Sequence, residues 1–211
     1  MPFLGAAEHP VAADVAALET DASLRAHVIA KPAHALELRG APGEGAAVAP
    51  GQRAHGSGGT ATALVETAYY RFVFRDDMAV APETISSRHT SFEARYRTAR
   101  GLKLQGPPFE TWQTVLTHPS DYGPTQALGA ALRDAGVAAF EFTSARDPSR
   151  GHNVALVEPG ALVSTRHARP GGWFCSTDAE AVTFSRRAAP GEILRFALSD
   201  FLVGGALPRP A

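Results

Sequence analysis

Apolar positions along this chain change period several times, and each change marks an element. Over residues 61–74, ATALVETAYYRFVF, the residues Leu64, Val65, Ala68, Tyr69 and Phe72 form a broad stripe at helical spacing, which predicts a helix carrying Glu66 among apolar neighbours. SFEARYRT then alternates Phe92, Ala94 and Tyr96 against Glu93, Arg95 and Arg97, the period of a half-buried antiparallel strand. HPSDYGPTQALGAALRDAG offers Ser120 and Asp121 as helix caps, sets Pro124 in the first turn and stops at Gly136; Leu128, Ala131, Leu132 and Ala135 supply its buried stripe. VAAFEFT follows as a strand, SARDPSRGH as a polar turn and NVALVE as a second strand. GWFCST, AVTFSRR and EILRFALSDF read as further strands bounded by Gly, Pro or Asp. The pattern predicts an α+β fold, a single domain whose mixed or antiparallel sheet is flanked by helices.

Two stretches read differently. In residues 11–30 the apolar positions Val15, Leu18, Leu24, Val28 and Ile29 are loosely helical, so residues 1–31 are expected to form an N-terminal helical segment ending before Pro32. Residues 40–59 hold seven glycines with Pro42 and Pro50 among alanines, and Val48 is the only larger aliphatic residue there. Side-chain burial cannot hold a helix or a strand in such chain, so an irregular segment is expected, set as an insertion before the core at residues 60–200.

Composition narrows the function. Twenty Lys and Arg against 21 Asp and Glu give a formal charge of -1, which argues against direct nucleic-acid binding. The single cysteine, Cys175, allows no internal disulfide and favours a reducing compartment. The N-terminus lacks a basic region followed by an apolar run, and no stretch approaches the length of a membrane span, so a cytoplasmic location is expected.

Familiar catalytic motifs are missing. The eight histidines include no pair at i, i+4 and the lone cysteine has no partner, so no metal site is expected; GSGG at residues 56–59 is set aside as a dinucleotide fingerprint because no strand is read before it. Tyr69 and Tyr70 read as core or helix-packing residues and His118 as part of a turn. A constellation in two places remains: Glu66 inside the first apolar helix, and the polar corner Thr143-Ser144-Ala145-Arg146-Asp147 after a strand. Taken alone, Glu66 is a solvated helix residue and Ser144 and Arg146 are turn formers.

Together they resemble the RES domain, named for its Arg, Glu and Ser. TALVETAYYRF looks like that family's acidic helix. The stretch DYGPTQALGAALRDAGVAAFEFTSARDPSRGHNVALVEP is similar to its helix, strand, Ser-x-Arg corner, Gly-x-Asn and strand, and the WFC and VTFSRR segments resemble its C-terminal strands, over about residues 60–200. The resemblance implies a fold related to ADP-ribosyltransferases and a toxin that breaks the nicotinamide–ribose bond of NAD⁺ by phosphorolysis or hydrolysis. NAD⁺ is then substrate, phosphate a candidate co-substrate, and no cofactor is needed. Glu66 would stabilise positive charge on the ribose, and Ser144 would orient ribose or phosphate. Arg146 would offer a guanidinium to the pyrophosphate, and Asn153 would fix the loop or touch ligand.

The family also carries an Arg in an aromatic setting, a second Arg, and a Gly-aromatic-Tyr strand about eleven residues before its Glu. Here that Tyr position falls on His55 in GQRAHGS, and Arg39 and Arg53 are the nearby arginines. Arg39, Arg53 and His55 are therefore the candidates for the remaining wall of the dinucleotide site. Residues 32–58 admit three explanations: divergence, an inactivated copy, or an out-of-frame stretch. The resemblance further implies a helix-turn-helix antitoxin of the Xre type as partner, with no direct contact to nucleic acid or membrane; a homo-oligomer is left open. Two other functions stay open, a catalytically silent RES-like module that binds protein and an enzyme that transfers ADP-ribose to protein.

Overall fold

The computed structural model describes residues 24–29, 54–163, 168–189 and 191–209; of residues 24–29, 54–56 and 168 only the backbone is described. The strands are β1 (Leu24–Ile29), β2 (Ala54–Ser57), β3 (Ile85–Tyr96), β4 (Gly101–Lys103), β5 (Ala139–Thr143), β6 (His152–Leu156), β7 (Ala168–Thr177), β8 (Ala181–Arg186) and β9 (Ile193–Ala197). The helices are α1 (Thr60–Asp76), the single turn α2 (Gln113–Leu116) and α3 (Gly123–Asp134). The nine strands of the described residues join one sheet in the order β4-β5-β6-β2-β1-β3-β7-β8-β9, antiparallel throughout except for the parallel pair β4 and β5. This is the α+β single-domain architecture that the apolar pattern predicts.

Helix α1 spans the middle of the sheet. Its Leu64, Val65, Ala68, Tyr69 and Phe72 pack with Trp173, Cys175, Val182, Phe184 and Phe201 into the largest core cluster. Fully burying each large side chain of such a cluster contributes about 1.5–3 kcal/mol. A second cluster joins Leu128 and Leu132 of α3 to Leu102, Leu104, Phe109 and Val137, while Ala131 and Ala135 stay half-buried at the edge of that stripe. α3 has Pro124 in its first turn and is followed by Gly136 at φ 75, where a residue without Cβ is needed. Its cap residue is Tyr122, whose side chain makes no capping bond; Asp121 accepts instead from the Gly123 N–H at 3.1 Å.

Strand β3 explains an otherwise puzzling alternation. His89 and Ser91 are buried at odd positions, beside Phe184 and the Trp173 indole, whereas Phe92, Ala94 and Tyr96 are buried at even positions on the opposite face, Phe92 and Ala94 against Leu162. The ladder to β7 slips between Ser91 and Glu93 with the extra residue on β7, so β3 keeps its period of two and buries one face in its first half and the other in its second.

Two expectations are corrected. Residues 24–29, read as helical, form strand β1, pairing residue for residue with β3 from Leu24 opposite Tyr96 to Ile29 opposite Ser91. LRAHVI ends in β-branched residues, and pairing with β3 outweighs its loose helical spacing. The rest of the expected N-terminal helical segment lies outside the described residues. Likewise the segment 40–59 is not irregular to its end, since Ala54–Ser57 is a strand held by backbone bonds to β1 on one side and β6 on the other. Small residues suffice there because the ladder, rather than side-chain burial, supplies the holding force. A strand therefore does precede Gly58 and Gly59, and α1 follows at once. What sets this segment apart from a dinucleotide fingerprint is that β2 runs antiparallel to both neighbours, whereas the fingerprint belongs to a parallel βαβ unit.

No helix among the described residues is long and apolar enough to cross a membrane.

Candidate functional site

The sheet register brings the first polar group into place. Ser57 of β2 stands opposite Asn153 of β6, which in turn stands opposite Phe142 of β5, so these three side chains share one face. Helix α1 lies over that face, with Glu66 half-buried in the middle of its inner side. Just beyond β5, the corner at Ser144–Arg150 turns the chain back into β6.

These elements meet on one carboxylate oxygen. Ser144 Oγ donates to Glu66 Oε1 at 2.7 Å, and Asn153 Nδ2 donates to the same oxygen at 2.6 Å. Each donor is itself held. Asn153 Oδ1 accepts from Ser57 Oγ at 2.6 Å, which orients the amide so that its nitrogen faces Glu66. Ser144 Oγ accepts from the backbone N–H groups of Arg146 and Asp147, at 3.1 and 3.0 Å, and its own N–H donates to the Gly151 carbonyl at 2.8 Å. With both N–H groups on its lone pairs, the Ser144 hydroxyl proton is directed at Glu66. Both bonds to Glu66 fall on Oε1, leaving Oε2 outside this network.

Helix α1 grips the corner at two further levels, one above and one below Glu66. Four residues before it, Thr62 Oγ1 donates to Asp147 Oδ2 at 2.7 Å, and Ser149 donates to Asp147 Oδ1 through its N–H and its hydroxyl. Burial pushes the Asp147 carboxyl up, but the bonds from Ser149, Thr62 and the backbone outweigh it and hold the group below its ordinary 3.8. Three residues after Glu66, the Tyr69 ring carries the Arg146 guanidinium at 3.7 Å, a cation over an aromatic face. Arg146 is buried, and its NH2 donates to the Pro119 carbonyl at 2.6 Å and to Tyr122 Oη at 2.7 Å. Tyr122 is delivered by a turn in which His118 Nδ1 accepts from Asp121 N at 2.8 Å, so His118 is the turn residue its sequence context suggests.

Tyr69 is fully buried, as a core residue should be, but Tyr70 departs from expectation and is 41% exposed, its ring edge-on to Tyr69 at 5.0 Å. Burial, followed by the nearby Tyr122 and Glu66, pushes the Tyr70 hydroxyl up to about 12, keeping it protonated at neutral pH.

Of the residues read from sequence, Glu66, Ser144 and Asn153 form one hydrogen-bonded group, and Arg146 joins it through Tyr69 and through its own N–H. Arg39 and Arg53 lie outside the described residues. His55 is in β2 with its backbone paired to Ala155, two residues before Ser57; its side chain lies outside the described part. Ser57, Thr62 and Tyr122 were not singled out. Thr62 is legible in hindsight, since positions 62, 66 and 69 share one helical stripe. Ser57 and Tyr122 carry no such signal, because only the strand register and the fold of the turn bring them in. Among the described residues no group of three or more His, Cys, Asp or Glu side chains is arranged to hold a metal ion.

Comparison with curated proteins gave no match. The family model described as RES domain matches residues 55–178, starting within β2 and ending just past β7, so that β8, β9 and VTFSRR lie beyond it. That span covers more than half of the 211 residues and holds every member of the Glu66 network, and the chain therefore belongs to the RES domain family.

Proposed function

We propose that this protein cleaves NAD⁺ between nicotinamide and ribose. The observation that carries the reading is the Glu66 carboxylate, fixed at Oε1 by Ser144 and Asn153. When the glycosidic C–N bond breaks, its electron pair leaves with neutral nicotinamide and positive charge develops at the ribose carbon. A carboxylate already oriented by two donors meets that charge without reorganising, which is where electrostatic catalysis gains most. Two donors on one oxygen fix the group and leave the other oxygen, Oε2, to face the reacting centre. An oxygen of phosphate or water then bonds to that carbon, giving ADP-ribose 1-phosphate or, with loss of a proton, ADP-ribose.

Arg146 contributes its buried positive charge beside the anionic pyrophosphate, while its NH2 bonds to Pro119 and Tyr122 keep it in the wall of the site. A relationship to ADP-ribosyltransferases, an Xre-type helix-turn-helix partner and a role as a toxin are part of the same reading and follow from the family resemblance.

The test is direct. Purified protein with NAD⁺ and phosphate is expected to release nicotinamide, and Glu66→Gln to lose on the order of 100-fold or more of that rate while remaining folded. NAD⁺ binding without nicotinamide release from the folded wild type sinks the enzymatic reading and leaves a binding module; label transferred from NAD⁺ to an added protein redirects it to ADP-ribose transfer.

A further inference from the structure

The segment after β9 returns to the site although it lies outside the residues matched by the family model. A 3₁₀ turn at Leu198–Phe201 leads into a strap in which Val203 and Ala206 form an isolated bridge and Leu207 packs on the main core. Its last described residues run along α1. The Pro208 carbonyl accepts from the Tyr69 hydroxyl at 2.5 Å, and Arg209 pairs with Asp77 at 2.7 Å and also with Asp76, at the C-terminal end of α1.

Tyr69 thus stands between two things. Its hydroxyl is tied to the strap, and its ring face is the seat of the Arg146 guanidinium. Among the described residues Arg146 forms no ion pair, so a ring face and two neutral oxygens stabilise its charge. A guanidinium on an aromatic face follows that face when the ring tilts. The backbone N–H of Arg146 and that of its neighbour Asp147 both end on Ser144 Oγ, the hydroxyl that holds Glu66. A displacement at Tyr69 therefore reaches the carboxylate in three residues.

We propose that Tyr69 is a positioning residue of the site and that the C-terminal strap, clamped by Arg209, sets its placement. A tyrosine serving only as core filling needs the ring and not the oxygen. A tyrosine serving as the link needs both, and it makes the strap and the hydroxyl act as one unit. The consequence for turnover rests on the NAD⁺-cleavage reading; the consequence for the order of the corner at residues 144–151 does not.

The test uses the full chain as wild type, Tyr69→Phe, Arg209→Ala and the double variant. Amide exchange at Arg146 and Asp147 is expected to speed up about 5–10-fold in each single variant and no further in the double variant than in Tyr69→Phe alone. Nicotinamide release is expected to lose about 3–10-fold in kcat with KM for NAD⁺ changed by less than about 2-fold. Unchanged exchange in both single variants, or effects that simply add in the double variant, overturns the proposal. Exchange that responds as expected in a protein that releases no nicotinamide upholds the positioning link and rejects the enzymatic reading. Should Tyr69→Phe fail to fold, Arg209→Ala and Asp77→Ala make the same test of the strap, with equal and non-additive effects expected at the two amides.

Discussion

Helix α1 touches two buried polar clusters, and they are built in opposite ways. Around its first half, Glu66, Ser144, Asn153, Ser57, Thr62 and Asp147 form a connected hydrogen-bonded network on anionic centres, and both donors to Glu66 are themselves oriented by further bonds. Around its second half the charge is cationic and the bonding sparse. Arg71 Nε donates to Thr177 Oγ1 at 3.2 Å and His89 Nε2 lies 2.9 Å from Ser87 Oγ, while Arg71 NH2 and His89 Nδ1 are buried with no hydrogen-bond partner among the described residues. One helix and one sheet provide similar burial to both. The difference lies in how completely each charge is coordinated, and it teaches that the first cluster is organised for a rigid carboxylate whereas the second is tolerated by the surrounding core.

The sharpest way to break the first cluster is to push its layers apart without removing any polar group. A Cβ on Gly151 would stand 2.5 Å from Asp147 Oδ2 and in clash with Thr62 Oγ1, inside the bond that ties α1 to the corner. Gly151→Ala is expected to cost about 1–3 kcal/mol, as overpacking does, and to lower nicotinamide release on the order of 100-fold, because Gly151 also holds Ser144 through its carbonyl. Thermal melts and initial rates check both; a variant with wild-type rates shows that the Thr62–Asp147 layer is dispensable. Ser144→Ala comes next. It removes one donor from Glu66 and strips two backbone N–H groups of their acceptor, at about 1–3 kcal/mol and roughly 10–100-fold in rate.

How much of this contrast was legible in the chain depends on which force builds each part. The elements α1, α3, β3, β5 and β6 rest on apolar periodicity, so their identities are readable from residues such as Leu64, Phe92 and Leu132. The two strands misread, β1 and β2, depend on backbone ladders to partners that lie far away in sequence, and residues such as His55 and Gly56 carry no local trace of that pairing. Within the site, Glu66, Ser144 and Asn153 were legible only as a family likeness, because their meeting is a product of sheet register. The second cluster was invisible for the same reason: His89 faces the core through the register of β3 with β7, which sets it opposite Trp173.

Acid titration sharpens the comparison further, since the two clusters respond in different pH windows. Burial and then the Arg71 charge push His89 down from its ordinary 6.5 to about 4. Between those values the unfolded chain takes up a proton that the folded chain refuses, so His89 makes stability fall as pH drops from 6.5 to about 4. Asp147, held below its ordinary 3.8, contributes stability above that value and loses it only as pH falls through its lower folded value. The expected result is that His89→Gln flattens the melting temperature between pH 6.5 and 4 and leaves the steeper acid limb intact, whereas Asp147→Asn lowers melting at neutral pH and weakens the dependence below 3.8. The same slope in wild type and His89→Gln across the upper window refutes the assignment.

The smallest expected effect belongs to Arg71, and it separates the clusters most cleanly. Removing one partner from a coordinated buried charge is costly, because the remaining group is left unpaired; removing a charge that has little coordination also removes its desolvation penalty. Among the described residues Arg71 has one hydrogen bond, to Thr177, and a contact over the Phe74 ring at 5.4 Å, against a buried NH2 without a partner. Arg71→Met keeps the length and apolar stem of the side chain, so the change in stability is expected to stay within about 1 kcal/mol of zero and to favour the variant if it has a sign. It also takes away the charge that helps depress His89, so the pH window over which stability falls should narrow from its acid end, and nicotinamide release should be unaffected. A loss of several kcal/mol in a denaturant melt means instead that Arg71 is as fully coordinated in solution as Glu66, and the contrast between the two ends of α1 disappears.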